Sequence, residues 1–91
     1  TLEKQVIATQ HLMVVRCTYP AGSVFDGHTH PQEQITIVEQ GELEFEIAGD
    51  WVAVATGQMI SIDAGVAHAS RVKGDAPATA LNLFHHSAPN G

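Results

Sequence analysis

Residues 42–47, Glu-Leu-Glu-Phe-Glu-Ile, alternate acid and apolar side chains without a break. Successive side chains of an extended strand point to opposite faces, whereas a helix would scatter these residues around its surface. The pattern predicts a half-buried strand, with Leu43, Phe45 and Ile47 inward and three glutamates in water. The glutamate row is a solvated face that also discourages edge aggregation, rather than a catalytic set.

The rest of the chain reads in short strands of the same kind. Val6-Ile7-Ala8 suits a short edge strand. Residues 12–19 are rich in β-branched side chains and stop at Pro20-Ala21-Gly22. Asp26-Gly27 reads as a second turn with His28 directly after it, and Pro31 leaves a bend or an edge. Residues 34–39 suit a strand stopped by Gln40-Gly41. Ala48-Gly49-Asp50 turns residues 51–56 back as a hairpin partner. Residues 59–62, 68–72 and 78–86 supply further strands, and 87–91 a tail. No segment carries a 3.6-residue period. Short strands with turn signals every eight to twelve residues or so predict an all-β sandwich or barrel.

A chain of 91 residues is one domain, Thr1 to Gly91, with a thin core. No apolar run approaches the roughly 20 residues of a spanning helix, and no signal peptide is visible. The net charge is −6, and Lys4, Arg16, Arg71 and Lys73 are the only strong bases. They form no stripe along the sequence, so neither nucleic acid nor membrane is an expected partner. Cys17, the single cysteine, makes no internal disulfide, and a cytoplasmic location is the default expectation.

Six histidines are an excess with a pattern. His28, His30 and Gln34 share a parity, so in an extended chain they can point to one side, with Thr29 and Glu33 on the other. Two imidazoles and an amide oxygen make a candidate metal site. One strand cannot surround an ion, and His68, at the start of a strand it shares with Ser70 and Val72, is the obvious further donor. Glu33 could stand in for Gln34 only across a bulge at Pro31.

These spacings resemble the cupins. Gly22, five residues, His28-x-His30, three residues, Gln34, six residues, Gly41 matches their first motif, although most metal cupins carry glutamate at the position of Gln34. Gly57, five residues, Asp63-x-Gly65, two residues, His68 matches the second, with aspartate in place of proline and Val72 in place of the usual asparagine. The resemblance covers 22–68. It implies a jelly-roll β-barrel of two facing antiparallel sheets, with one divalent ion (zinc, nickel, manganese or iron) held by His28, His30, Gln34 and His68. It also implies pairing as a homodimer. A neutral amide leaves the ion its full charge, which favours Lewis-acid chemistry over iron oxidation chemistry.

His-x-His-Pro-x-Glu-Gln is similar to a glutamine-ligand subgroup that includes proteins converting unsaturated uronates to keto forms in pectin degradation. That subgroup carries an aspartate, a phenylalanine and an arginine on its last strand. Here Phe84 matches, Asn82 stands at the aspartate, and no arginine follows. Asn82 and Phe84 are therefore expected in the substrate pocket, but an amide cannot take a proton. If both face the pocket, so does His86, which becomes the acid–base candidate; the bland reading of His85-His86 is a solvent-exposed pair. Arg16 reads as an interface or snorkelling residue, with an anion-holding place in the pocket as its functional alternative. Cys17 and Tyr19 read as packing, and Trp51 as a core or dimer anchor.

The sequence thus supports a metal-binding protein acting on an oxygenated, sugar-acid-like molecule by isomerisation, tautomerisation or lyase chemistry. The alternatives are a non-catalytic small-molecule sensor and a metal-dependent dioxygenase.

Overall fold

The computed structural model describes residues 2–85. Nine strands follow in order: β1 (Glu3–Ala8), β2 (Leu12–Tyr19), β3 (Val24–His28), β4 (Gln34–Gln40), β5 (Glu42–Ile47), β6 (Asp50–Ala55), β7 (Met59–Ile62), β8 (His68–Val72) and β9 (Ala78–His85). Among the described residues there is no helix. Two antiparallel sheets form, one in the order β1-β2-β9-β4-β7 and the other β3-β8-β5-β6. This is the expected all-β architecture, a jelly roll of two facing sheets.

The β5–β6 hairpin follows from the alternation. Phe45 pairs with Val52 and Leu43 with Val54, and Leu43, Phe45 and Val54 are buried. A two-residue turn joins the strands, with Ala48 at φ 50° and Gly49 at φ 89°. Two positive φ values in sequence make the turn whose twist matches the flanking strands. Gly41 (φ +77°) is held for a second reason: a Cβ there would lie 2.6 Å from the Pro77 carbonyl oxygen.

The core is packed toward one end of the barrel. Val38, Leu43, Val54, Val72, Ala78 and Ala80 form one apolar cluster with Phe45 and Ile62. Each fully buried branched side chain contributes about 1.5–3 kcal/mol. The inward side chains then turn polar along the same strands. On β4 Val38 gives way to Thr36 and Gln34; on β9 Ala80 gives way to Asn82; on β8 Val72 gives way to Ser70 and His68.

Three expectations change. Asp26-Gly27 is not a turn but lies within β3, where the pairing with β8 slips between Phe25 and His28; the bulge absorbs the extra residues. Trp51 is 41% exposed on the outer strand β6, with the Arg71 guanidinium carbon 3.9 Å from its ring centroid, so it serves a surface cation–π contact rather than the core. The glutamate row is solvent-facing but engaged: Glu44 pairs with Arg71 at 2.9 Å and Glu42 with Lys73 at 3.0 Å.

Candidate metal centre

His28, His30 and His68 offer ligand nitrogens that all lie within 4.8 Å of one another. Three different pieces of backbone deliver them. His28 ends β3 and pairs directly with His68 at the start of β8, so those rings approach to 4.4 Å between centroids. His30 stands in the connection that leaves one sheet for the other, and Gln34 opens β4 on that second sheet. The convergence therefore comes from a crossing between sheets, not from common parity along one strand. Glu33 is exposed and lies outside the group.

Each imidazole is aimed by a backbone carbonyl. His28 Nδ1 bonds the Asp26 carbonyl at 3.1 Å, His30 Nδ1 that of Gln32 at 2.8 Å, and His68 Nδ1 that of Val66 at 3.0 Å. A carbonyl only accepts, so each Nδ1 carries the proton and each Nε2 presents a lone pair. Fixing the tautomer in this way is how ligand histidines are prepared for a metal.

Gln34 is aimed too. Its Nε2 donates to Thr36 Oγ1 at 2.8 Å and to Asn82 Oδ1 at 3.3 Å. Its oxygen is thereby turned toward His30, 3.2 Å from that Nε2. With the His30 Nδ1 proton directed at Gln32, Nε2 and the Gln34 oxygen are placed side by side as two donors to one cation would be. Donors each about 2.0–2.2 Å from one ion lie roughly 3 Å apart, which this pair satisfies. His68 is held below the usual histidine range, first by burial and then by His28 and His30, against its bond to Val66. The residues fit a divalent ion: three imidazole nitrogens and one amide oxygen, each oriented by a further hydrogen bond.

The centre opens on a cavity of about 340 Å³, whose walls include Tyr19, Phe25, Asn82 and Phe84. Phe84 meets His30 edge-on, with centroids 5.7 Å apart. Asn82 is buried and accepts from Thr36 Oγ1 at 2.7 Å. Its Nδ2 donates to Tyr19 Oη at 3.2 Å and reaches Cys17 Sγ at 3.6 Å. Burial, with the Cys17 thiol beside it, holds the Tyr19 phenol above its ordinary value, so it stays protonated as a donor.

Cys17 and Tyr19 line this cavity rather than merely packing, and Arg16 does not line it. Arg16 lies on the opposite face of β2, bonded to Glu39 at 3.0 Å and to Gln5 at 3.3 Å. The apolar run Met13-Val14-Val15 hides which face of the strand is inward; only the polar partners Asn82 and Glu39 reveal it. His85 is exposed and stacks beside His11, with ring centroids 6.3 Å apart. His86 lies outside the described residues.

A cupin domain model matches residues 15–84, most of the chain. Among solved structures, KdgF from Halomonas sp. is 24% identical, covering 92% of this chain and 77% of that one at a TM-score of 0.84. The cupin domain of an XRE family transcriptional regulator from Enterobacter cloacae is 20% identical, covering 93% and 96% at 0.81. The DMSP lyase DddQ from Ruegeria pomeroyi is 26% identical over 99% of this chain at 0.84, although this chain spans only 49% of it. A search among curated proteins returned no significant match. With the domain model, the two-sheet barrel and the histidine cluster in agreement, the chain belongs to the cupin domain family.

Proposed function

We propose that this cupin binds one divalent metal ion through His28, His30, Gln34 and His68, and acts on an oxygenated, sugar-acid-like small molecule by isomerisation, tautomerisation or lyase chemistry. The carrying observation is the convergence of the three histidine nitrogens within 4.8 Å of one another with Gln34 Oε1 3.2 Å from His30 Nε2, each group oriented by its other hydrogen bonds. A divalent ion there would polarise a carbonyl or hydroxyl oxygen and acidify a neighbouring proton.

The chain's own residues would do the rest. Phe84 and Phe25 give a carbon skeleton flat apolar walls. Asn82 has no free oxygen for base chemistry, since its Oδ1 already accepts from Thr36 and Gln34. It acts instead as a hub, holding the Gln34 amide on one side and the Tyr19 phenol on the other. The Tyr19 hydroxyl, hydrogen-bonded to Cys17 as well as to Asn82, completes the polar wall on that side. The subgroup resemblance in His-x-His-Pro-x-Glu-Gln supports the substrate class, and the lyase among the similar structures supports a non-oxidative reaction. Pairing of two copies belongs to the same proposal: Ile7, Val14, Leu83 and Ile35 form a cross-strand row on the outer face of the five-stranded sheet.

Elemental analysis of protein purified without chelator tests the site. We expect close to one ion per chain, lost in His68→Asn. Less than about 0.2 ion per chain would defeat the metal assignment. Turnover across a panel of sugar acids, abolished in Gln34→Ala, then decides between an enzyme and a binding protein.

A further inference from the structure

The distribution of charge around the cavity is the reverse of that of the whole chain. The sequence holds ten aspartates and glutamates against four lysines and arginines. All ten acids fall within the described residues, yet none lines the cavity, whereas one of the four cations, Lys4, does. The other three cations are spent on acids: Arg16 on Glu39, Arg71 on Glu44 and Lys73 on Glu42, at 2.9–3.0 Å. Among the described residues Lys4 is the one strong base outside these ion pairs.

Its direction follows from register. Lys4 stands opposite Cys17, whose sulfur contacts Asn82 in the cavity wall. Its neighbour Gln5 stands opposite Arg16 and bonds it on the outer face. Lys4 therefore faces the cavity from the rim strand β1, with its side chain still open to water. An enclosure with one ammonium and no carboxylate concentrates positive potential inside an acidic chain.

We propose that Lys4 is an anion anchor and that the ligand of this cavity carries a carboxylate. This rests on the metal-site reading for the position of the ligand's other oxygens. A hydroxylated or keto acid would place those oxygens at the histidine and glutamine end and its carboxylate against Lys4. The apolar walls, Val15 and Phe84 among them, would flank the carbons between. A cavity of about 340 Å³ is at the small-metabolite end of binding-site sizes. Lysines on edge strands also guard against aggregation, a role that would be indifferent to what the cavity holds.

The test uses the full chain loaded with nickel, titrated calorimetrically with D-galacturonate and with D-galactose, which lacks the carboxylate. Lys4→Met should weaken galacturonate binding roughly tenfold, the loss expected for a charged hydrogen bond partly screened by water. Lys4→Arg should stay within about twofold of wild type. Galactose binding should be the same in wild type and Lys4→Met, with nickel content and melting temperature unchanged. Equal galacturonate affinity in Lys4→Met, a matching loss for galactose, or no galacturonate binding by the wild-type chain would each overturn the assignment. A wild-type chain that takes up no nickel would sink the metal reading instead. The same titrations on that chain would still decide the role of Lys4.

Discussion

Replacing Gln34 by leucine separates the two roles of its amide. In the metal-free fold the amide gives hydrogen bonds to Thr36 Oγ1 and Asn82 Oδ1 at 2.8 and 3.3 Å, worth about 1–3 kcal/mol together. Thr36 still donates to Asn82 at 2.7 Å, so neither partner is stranded. Leucine restores buried apolar area and removes the opposed lone pairs at His30, offsetting roughly 1–2 kcal/mol. The metal-free variant should therefore melt within about 8 °C of wild type. With metal the outcome differs. A lost donor should weaken binding by at least ten- to a hundredfold or so. At a metal concentration a hundred times the wild-type Kd, bound ion stabilises wild type by about 2.7 kcal/mol, or roughly 10–20 °C for a chain this size. A site a hundredfold weaker keeps only about 0.4 kcal/mol, or roughly 2–3 °C. Thermal melts by circular dichroism, with nickel or zinc titrated in, read both quantities. A metal-induced shift equal to that of wild type would refute Gln34 as a donor. Destabilisation of the metal-free variant by more than about 3 kcal/mol would refute the claim that its oxygen is unsatisfied without an ion.

Acid should weaken the fold through His68. Its pKa is lowered, chiefly by burial and then by His28 and His30, so the unfolded chain binds more protons just below about pH 6.5. Stability is then complete above that pH and is lost as pH falls below it; melts of metal-free protein between about pH 5 and 8 should show this slope, flattened in His68→Asn, and equal slopes would contradict it. At the β5–β6 turn, Ala48 occupies φ 50°, where a side chain without local hydrogen bonding is strained. Ala48→Gly should raise stability by about 0.5–1 kcal/mol, a few degrees in the melt, and a lower melting temperature would count against the turn geometry.

Much of the barrel was legible in the sequence because alternation, turn residues and motif spacing agree. Leu12–Tyr19, Glu42–Ile47, Met59–Ile62 and His68–Val72 lie where periodicity and punctuation put them. Val24–His28 was not legible, since Asp26-Gly27 carries a turn signal that a bulge overrides. Facing was harder than existence. On β4 the polar Gln34 and Thr36 are buried while Ile35 is 44% exposed, the reverse of what burial preference suggests. A sheet that lines a polar cavity has no dry side to announce itself. On β2 the same ambiguity exchanged Arg16 for Cys17 and Tyr19. Spacing singled out the histidines and Gln34, which the fold brings near one another, but the loop that does so, and the lysine that lines the same cavity, are products of the tertiary arrangement.

The change from apolar to polar along β4, β8 and β9 has a kinetic consequence. Amides beside Val38, Leu43, Val72 and Ala80, locked in the dry cluster, should exchange with solvent only when the whole domain opens. Those near His30, in the irregular connection between β3 and β4, can exchange by local excursions of small cost. A ligand therefore needs no global breathing to enter. The mouth can fluctuate on its own timescale while the packed end keeps the two sheets in register.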